Sequence, residues 1–104
     1  MTFADIDQVC AGFSWEAQQD FFPRIFETPE IKTVLLGGVL QGRDLGYCLM
    51  LLGDREGGHV TGVDVFREDQ DAILEVPGWR AIIEAVRVNM ETLGFPENKY
   101  TLVQ

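Results

Sequence analysis

The segment Thr33–Phe66 constrains the fold of this chain more than any other part of the sequence. It contains three apolar runs of eight residues, TVLLGGVL, LGYCLMLL and HVTGVDVF, separated by the turn-forming clusters QGRD and GDREGG. Short apolar runs bounded by glycine and aspartate are typical of strands. The pattern therefore predicts an antiparallel meander with Leu45–Leu52 as its middle strand.

Both faces of the predicted meander are apolar, and its first two runs contain no charged residue. An antiparallel sheet with one solvated face normally alternates apolar and polar residues. We therefore expect each face to be covered, either by helices of the same chain or by a second molecule. A homodimer formed through one sheet face is one arrangement that would satisfy this requirement.

Four further elements complete the predicted fold. Three helices and one strand, each with start and stop signals, are expected at Thr2–Ala11, Ser14–Phe22, Trp79–Leu93 and Lys99–Gln104. Pro23 should kink or restart the second helix, because it lacks an amide hydrogen. The sequence thus predicts a single α+β domain over residues 1–104, in the order α-α-β-β-β-α-β. Its mostly antiparallel four-stranded sheet packs against the N-terminal helices and a C-terminal helix.

The chain is acidic, with 17 Asp and Glu residues against 8 Lys and Arg, which gives a net charge of −9 at pH 7. This charge argues against direct binding to nucleic acid or to an anionic membrane surface. It fits a protein that docks on a basic protein surface. Solubility alone is the alternative explanation for an acidic balance.

An acidic cluster follows the meander and is the densest group of carboxylates in the chain. Its residues are Glu68, Asp69, Asp71 and Glu75. A calcium loop of the EF-hand type that begins at Asp69 would need glycine where Leu74 stands, so no metal site is assigned. The pattern favours a solvated connecting segment, and the functional alternative is that these four residues bind a basic partner.

Two polar residues lie within the apolar meander. The register set by the two turns makes Tyr47 and Asp64 direct cross-strand neighbours. Together with Trp79 they would line a small pocket between the sheet and the C-terminal helix; otherwise they form a hydrogen-bonded pair under a helix. An enzyme that uses Asp64 with His59 is ranked last, because five positions separate them on one strand and they face opposite sides.

Residues suited to covalent, metal or cofactor chemistry are few. Cys48 and His59 would lie about 13 Å apart along the strands, too far for a nucleophile and its base. One histidine and two separated cysteines form no zinc site of the usual kind. The glycines of LLGGVLQG lack the spacing of a phosphate-binding loop, and no helical pattern is assigned after them. We predict no catalytic residue, metal or cofactor, and do not expect an enzyme.

The expected location is the cytoplasm. The N-terminal sequence MTFADIDQ carries acidic residues where a signal peptide has basic ones, and no apolar run reaches the length of a membrane span. Two separated cysteines in apolar settings fit a reducing compartment.

Two functional hypotheses follow. The first is a small acidic, non-catalytic interaction protein of the inhibitor or immunity type, which binds a basic protein surface and associates faster because of charge complementarity. The alternative is a small-molecule-binding regulatory domain with its pocket between the sheet and the C-terminal helix. We recognise no protein family whose motifs these residues reproduce.

Overall fold

Helices and strands alternate through much of the described chain. The computed structural model describes residues 1–10, 16–39, 42–64 and 83–104. The elements within these ranges are α1 (Phe3–Val9), α2 (Glu16–Ile25), β1 (Thr33–Gly37), α3 (Arg43–Leu52), β2 (His59–Val63), α4 (Ile83–Thr92), a 3-10 turn (Glu97–Lys99) and β3 (Tyr100–Val103). The three described strands are parallel and lie side by side in the order β1-β2-β3.

The prediction of a four-stranded antiparallel sheet is wrong, although the mixture of helices and strands agrees with the α+β class. Leu45–Leu52, expected as the middle strand, forms most of helix α3. β1 and β2 therefore run in the same direction, with Thr33 paired to His59 and Gly37 paired to Val63. Parallel neighbours need a crossover between them, and α3 supplies it.

Helix α3 has the composition of a buried helix. The run Leu45–Leu52 contains no Val, Ile or Thr, and its leucines and methionine lose little rotamer freedom in a helix. The helix begins at Arg43, after Gly42, and ends before Gly53, whose N–H donates to the carbonyl of Leu49. The sheet contacts it on one side and α1 and α2 contact it as well. A helix enclosed in this way lacks the polar stripe that identifies a surface helix.

The other helices and the last strand agree with the sequence prediction in the described residues. Thr2 caps α1, since its Oγ1 accepts from the N–H of Asp5 while Oδ2 of Asp5 accepts from the N–H of Thr2. Helix α2 differs in one respect, because it runs through Pro23 as one helix to Ile25, beyond the predicted end at Phe22. α4 and β3 lie within the predicted C-terminal helix and strand. None of the described helices combines the length and the hydrophobicity that a membrane span requires.

The two faces of the sheet differ in their surroundings. The covered face packs into the core beneath the helices and contains Val34, Leu36, Val60, Tyr100 and Leu102. The open face consists of Thr33, Leu35, Gly37, His59, Thr61, Val63, Thr101 and Val103. Leu35 is 75% exposed, so none of the described helices covers this face. The expectation that a second molecule covers it stays a prediction.

Candidate functional site

The carboxyl edge of the sheet brings a glycine-rich turn next to a carboxylate. In open sheets of parallel strands, ligands bind in the crevice outside the carboxyl ends of the strands. The segment from the end of β1 to the start of α3 contains Gly37, Gly38 and Gly42, and Asp64 directly follows β2. Gly38 and Gly42 have φ angles of 82° and 98°. The turn, which we call the glycine turn, therefore depends on glycine at these two positions.

Hydrogen bonds hold the start of the glycine turn against the end of β2. The N–H of Gly38 donates to the carbonyl of Val63 at 2.8 Å. The N–H of Val39 donates to Oδ2 of Asp64 at 2.6 Å. A carboxylate that accepts a backbone N–H makes a strong, charge-assisted bond. Asp64 thus lies beside the turn and fixes its backbone.

The glycine turn is tightly packed on one side and open on the other. The side chain of Val39 is buried over Gly62, where an added Cβ would lie 2.6 Å from Cγ2 of Val39. A Cβ built on Gly37 or Gly38, by contrast, would have no atom of the described residues within 4 Å. A ligand at the carboxyl edge could therefore approach the backbone closely at Gly38, which lies just beyond β1.

The first turn of α3 follows the glycine turn, and its charged side chains have partners. Nε of Arg43 lies 3.0 Å from Oδ1 of Asp7, and Nη2 donates to the carbonyl of Cys10 at 3.2 Å. Both carboxylate oxygens of Asp44 accept from Nε2 of Gln18, at 3.0 and 2.9 Å. Burial raises the pKa of Asp44, while the Arg43 charge and the Gln18 bond oppose that rise. The positive end of the helix dipole thus already has a carboxylate beside it.

Tyr47 belongs to a structural network between helices. Its hydroxyl donates to Oδ1 of Asp7 and accepts from Nε2 of Gln19 at 3.2 Å. The rings of Phe3 and Phe22 lie edge-on to the Tyr47 ring, with centroid distances of 4.7 and 6.4 Å. Burial and the bond to Asp7 raise the pKa of Tyr47 to about 12. These contacts tie α1 and α2 to α3.

Tyr47 and Asp64 are the predicted site residues that the structure describes, and they do not form the predicted pair. Asp64 lies at the carboxyl edge and Tyr47 lies in α3, so their predicted cross-strand pairing is wrong, because Tyr47 is not in a strand. His59 begins β2 and is five residues from Asp64, roughly 16 Å along a strand, which separates these two as well. The other predicted site residues lie outside the described ranges, namely Trp79, Glu68, Asp69, Asp71 and Glu75.

The cysteines are unsuited to nucleophilic chemistry. Cys10 and Cys48 are both buried free thiols, and burial raises the pKa of each to about 12. A thiol with such a pKa stays protonated near neutral pH, and the thiolate is the reactive form. Among the described residues, no group of three or more His, Cys, Asp and Glu side chains is placed to hold a metal ion.

A second concave region lies near the opposite, amino edge of the sheet. It is a cavity of about 300 Å³ between the end of α3 and the segment before β3, lined by Leu49, Leu52, Asp54, Phe95 and Lys99 among others. Its lining contains none of the residues predicted as site residues. Because parallel sheets bind ligands at the other edge, the carboxyl edge is the stronger candidate.

The sequence signal of this candidate site is a glycine turn followed by an acid. Asp64 comes 22 residues after Gly42. In nucleotide-binding β-α-β units, an Asp or Glu about 20 residues beyond the glycine-rich turn binds the ribose hydroxyls. The pattern requires strand, turn, helix and strand in that order. It is therefore visible only when Leu45–Leu52 is assigned as a helix.

Comparison with known proteins adds a structural likeness. No family model and no curated protein matches the chain. A crystal structure described as "a putative caffeoyl-CoA O-methyltransferase from Staphylococcus aureus" superposes with a TM-score of 0.56 at 18% sequence identity. The match covers 97% of this chain and 39% of that one, so the chain spans about two fifths of that protein's length. At this level of identity, the likeness shows a shared fold and nothing finer.

Proposed function

We propose that this chain binds a methyl donor of the S-adenosylmethionine class at the carboxyl edge of its sheet, as the nucleoside-binding part of a methyltransferase-like protein. The observation that carries the proposal is the contact between Asp64 and the glycine turn. The fold shared with a structure described as an O-methyltransferase supports the choice of ligand class. When bound, such a donor supplies an activated methyl group for transfer to an acceptor nucleophile.

Asp64 is the residue that we expect to bind the ribose. A carboxylate at the end of the second strand of a β-α-β unit can accept hydrogen bonds from ribose hydroxyls. Because Oδ2 of Asp64 also holds the N–H of Val39, the side chain orients the ligand and the glycine turn together. The open space at Gly38, just beyond the end of β1, fits a ligand that lies against the backbone.

The charges around the glycine turn favour a ligand without phosphate groups. Dinucleotides place their pyrophosphate at the helix N-terminus that follows the first strand. In this chain Asp44 occupies the first turn of that helix, Asp64 lies beside the turn, and Arg43 is paired with Asp7. Two carboxylates would repel a pyrophosphate, whereas they attract the positively charged sulfonium of S-adenosylmethionine.

Calorimetric titration of Asp64 variants tests this proposal. Wild-type protein should bind S-adenosylmethionine, and Asp64→Asn should bind it about 10- to 100-fold more weakly. That range corresponds to about 1.5–3 kcal/mol for a hydrogen bond to a charged group. ATP has the same adenosine with three phosphates, and it should bind at least about tenfold more weakly than S-adenosylmethionine.

Asp54→Asn is the matched control for this titration. Asp54 is exposed, lines the cavity near the amino edge, and loses the same charge when it is replaced. It should bind the donor as wild type does, while melting curves establish that Asp64→Asn is folded. Absence of binding to wild-type protein at millimolar donor, or equal weakening by both variants, would refute the proposal.

The interaction-protein hypothesis stays a prediction. It depends on the net charge of −9 and on the acidic cluster at 68–75, which lies outside the described residues. Binding to a basic protein should weaken steeply as salt is raised, whereas donor binding at the glycine turn should change little. The regulatory-domain alternative stays a prediction too, without the Tyr47–Asp64 pairing on which its pocket was based, and Trp79 lies outside the described residues. The cytoplasmic location also stays a prediction.

A further inference from the structure

The open face of the sheet exposes apolar side chains that a parallel sheet normally buries. Leu35, Val63 and Val103 are 75%, 39% and 44% exposed. Parallel sheets are almost always covered on both faces, because their crossovers place helices there. The buried residues of α1, α3 and α4 join one core with Val60 and Tyr100 of the covered face. In the described part of the chain, the open face therefore lacks the covering layer of helices that a parallel sheet normally has.

The open face is also free of Asp, Glu, Lys and Arg in a strongly acidic protein. None of its eight residues belongs to these types, although the chain has 17 acidic and 8 basic residues. A charged partner, basic or acidic, would find no complementary carboxylate or ammonium group on it. A second copy of the chain would present the same eight uncharged residues there.

Two of the polar side chains on the open face, His59 and Thr101, are hydrogen-bonded to each other. Nε2 of His59 lies 2.8 Å from Oγ1 of Thr101, so these two groups are bonded to each other between neighbouring strands. Burying a polar group is costly mainly when it loses its hydrogen bonds. The imidazole and the hydroxyl can therefore be covered by another sheet at low cost.

We propose that two copies of this chain associate through their open faces about a two-fold axis. Leu35, Val63 and Val103 of one copy then pack against the same face of the other, with the sheets about 10 Å apart. With five residues in each of the longer strands and three strands side by side, the usual rise per residue and strand spacing give a face of roughly 16 Å by 14 Å. Such a face is smaller than a standard interface of about 800 Å² per partner. The association is therefore weak, with a Kd on the order of 100 µM.

Sedimentation velocity without added ligand tests the proposal independently of donor binding. Between about 5 µM and about 1 mM protein, a range that brackets this Kd, the average mass should rise from the monomer toward the dimer. Leu35→Glu places a carboxylate on both facing surfaces and should weaken association at least about tenfold. Val88→Glu is the matched control, because Val88 is 58% exposed on α4, off the sheet, and gains the same charge.

The outcomes are decisive in both directions. Self-association of wild-type protein that Leu35→Glu removes and Val88→Glu leaves intact supports the proposal. A monomer at every concentration means that the open face has another occupant and overturns it. Equal association of Leu35→Glu and wild type, or equal loss with Val88→Glu, overturns it as well. If Leu35→Glu unfolds, Val103→Glu on the same face takes its place with the same expected result.

Discussion

Replacing Gly62 with alanine measures how tightly the sheet supports the glycine turn. Gly62 lies on the covered face in the middle strand of the described sheet. A Cβ at this position would lie 2.6 Å from Cγ2 of Val39 and 3.4 Å from Cδ2 of Leu102. The first distance is well inside van der Waals contact, so one of the two side chains or the backbone must move.

The expected loss is about 1–3 kcal/mol in the free energy of unfolding, the usual cost of an extra methyl group in a packed core. Val39 has little freedom to yield, because its side chain is buried and Asp64 holds its N–H. In a domain of this size each kcal/mol lowers Tm by about 4–8 °C. Binding of S-adenosylmethionine should weaken too, since any shift of Val39 displaces the turn.

Urea denaturation followed by circular dichroism measures this change, with Gly37→Ala as the control. A Cβ on Gly37 would have no atom of the described residues within 4 Å. The control should therefore leave stability unchanged or raise it by up to about 1 kcal/mol, through a less flexible unfolded chain.

A double mutant isolates the clash itself. Val39→Ala removes the methyl group that the new Cβ would meet, so the pair Gly62→Ala and Val39→Ala should be less destabilised than the sum of the single variants. We expect a difference of about 1 kcal/mol or more. Strict additivity, or a Gly62→Ala protein as stable as wild type, would show that the packing argument is incorrect.

Two further predictions concern the contacts that join α1 and α2 to α3. Tyr47→Phe should lower the free energy of unfolding by about 1.5–3 kcal/mol, because the lost hydroxyl donates to the carboxylate of Asp7; an unchanged urea midpoint would contradict that bond. Burial raises the pKa of Asp44 above its usual value of 3.8, so the folded protein favours the protonated side chain. The stability that this protonated form contributes is fully present below pH 3.8 and is lost as the pH rises through the pKa of the folded state. Asp44→Asn should therefore gain stability relative to wild type as pH rises from about 3 to 7. In addition, the amide of the new asparagine can donate to Oε1 of Gln18, a buried atom with no hydrogen-bond partner among the described residues. A stability difference that does not change with pH would count against this reading.

The sequence was sufficient to predict elements whose ends or faces are exposed. Thr2 and Asp5 form the capping box at the start of α1, as their spacing indicates. The three- and four-residue apolar steps of the C-terminal helix predict α4 because one side of it faces solvent. These signals are local, and burial elsewhere in the chain does not alter them.

The direction of the strands could not be predicted in the same way. TVLLG and HVTGV were correctly assigned as strands, because β-branched residues favour them. Whether such strands run parallel or antiparallel depends on what connects them. An apolar run of eight residues has the length of a strand, and it also suits a helix enclosed on several sides. With Leu45–Leu52 assigned as a strand, the predicted topology is an antiparallel meander, whereas a helix in the same place makes β1 and β2 parallel neighbours.

The same assignment determined whether the candidate site was visible. The predicted register of Asp64 with Tyr47 does not exist, and the Asp64 carboxylate instead accepts from the N–H of Val39. A glycine turn and an acid 22 residues later have a joint meaning only when a helix returns the chain to a neighbouring parallel strand, because only then do both lie at one edge of the sheet. The missing β-branched residues in LGYCLMLL favour a helix, so the sequence contained evidence for the topology and for the site in the same eight residues.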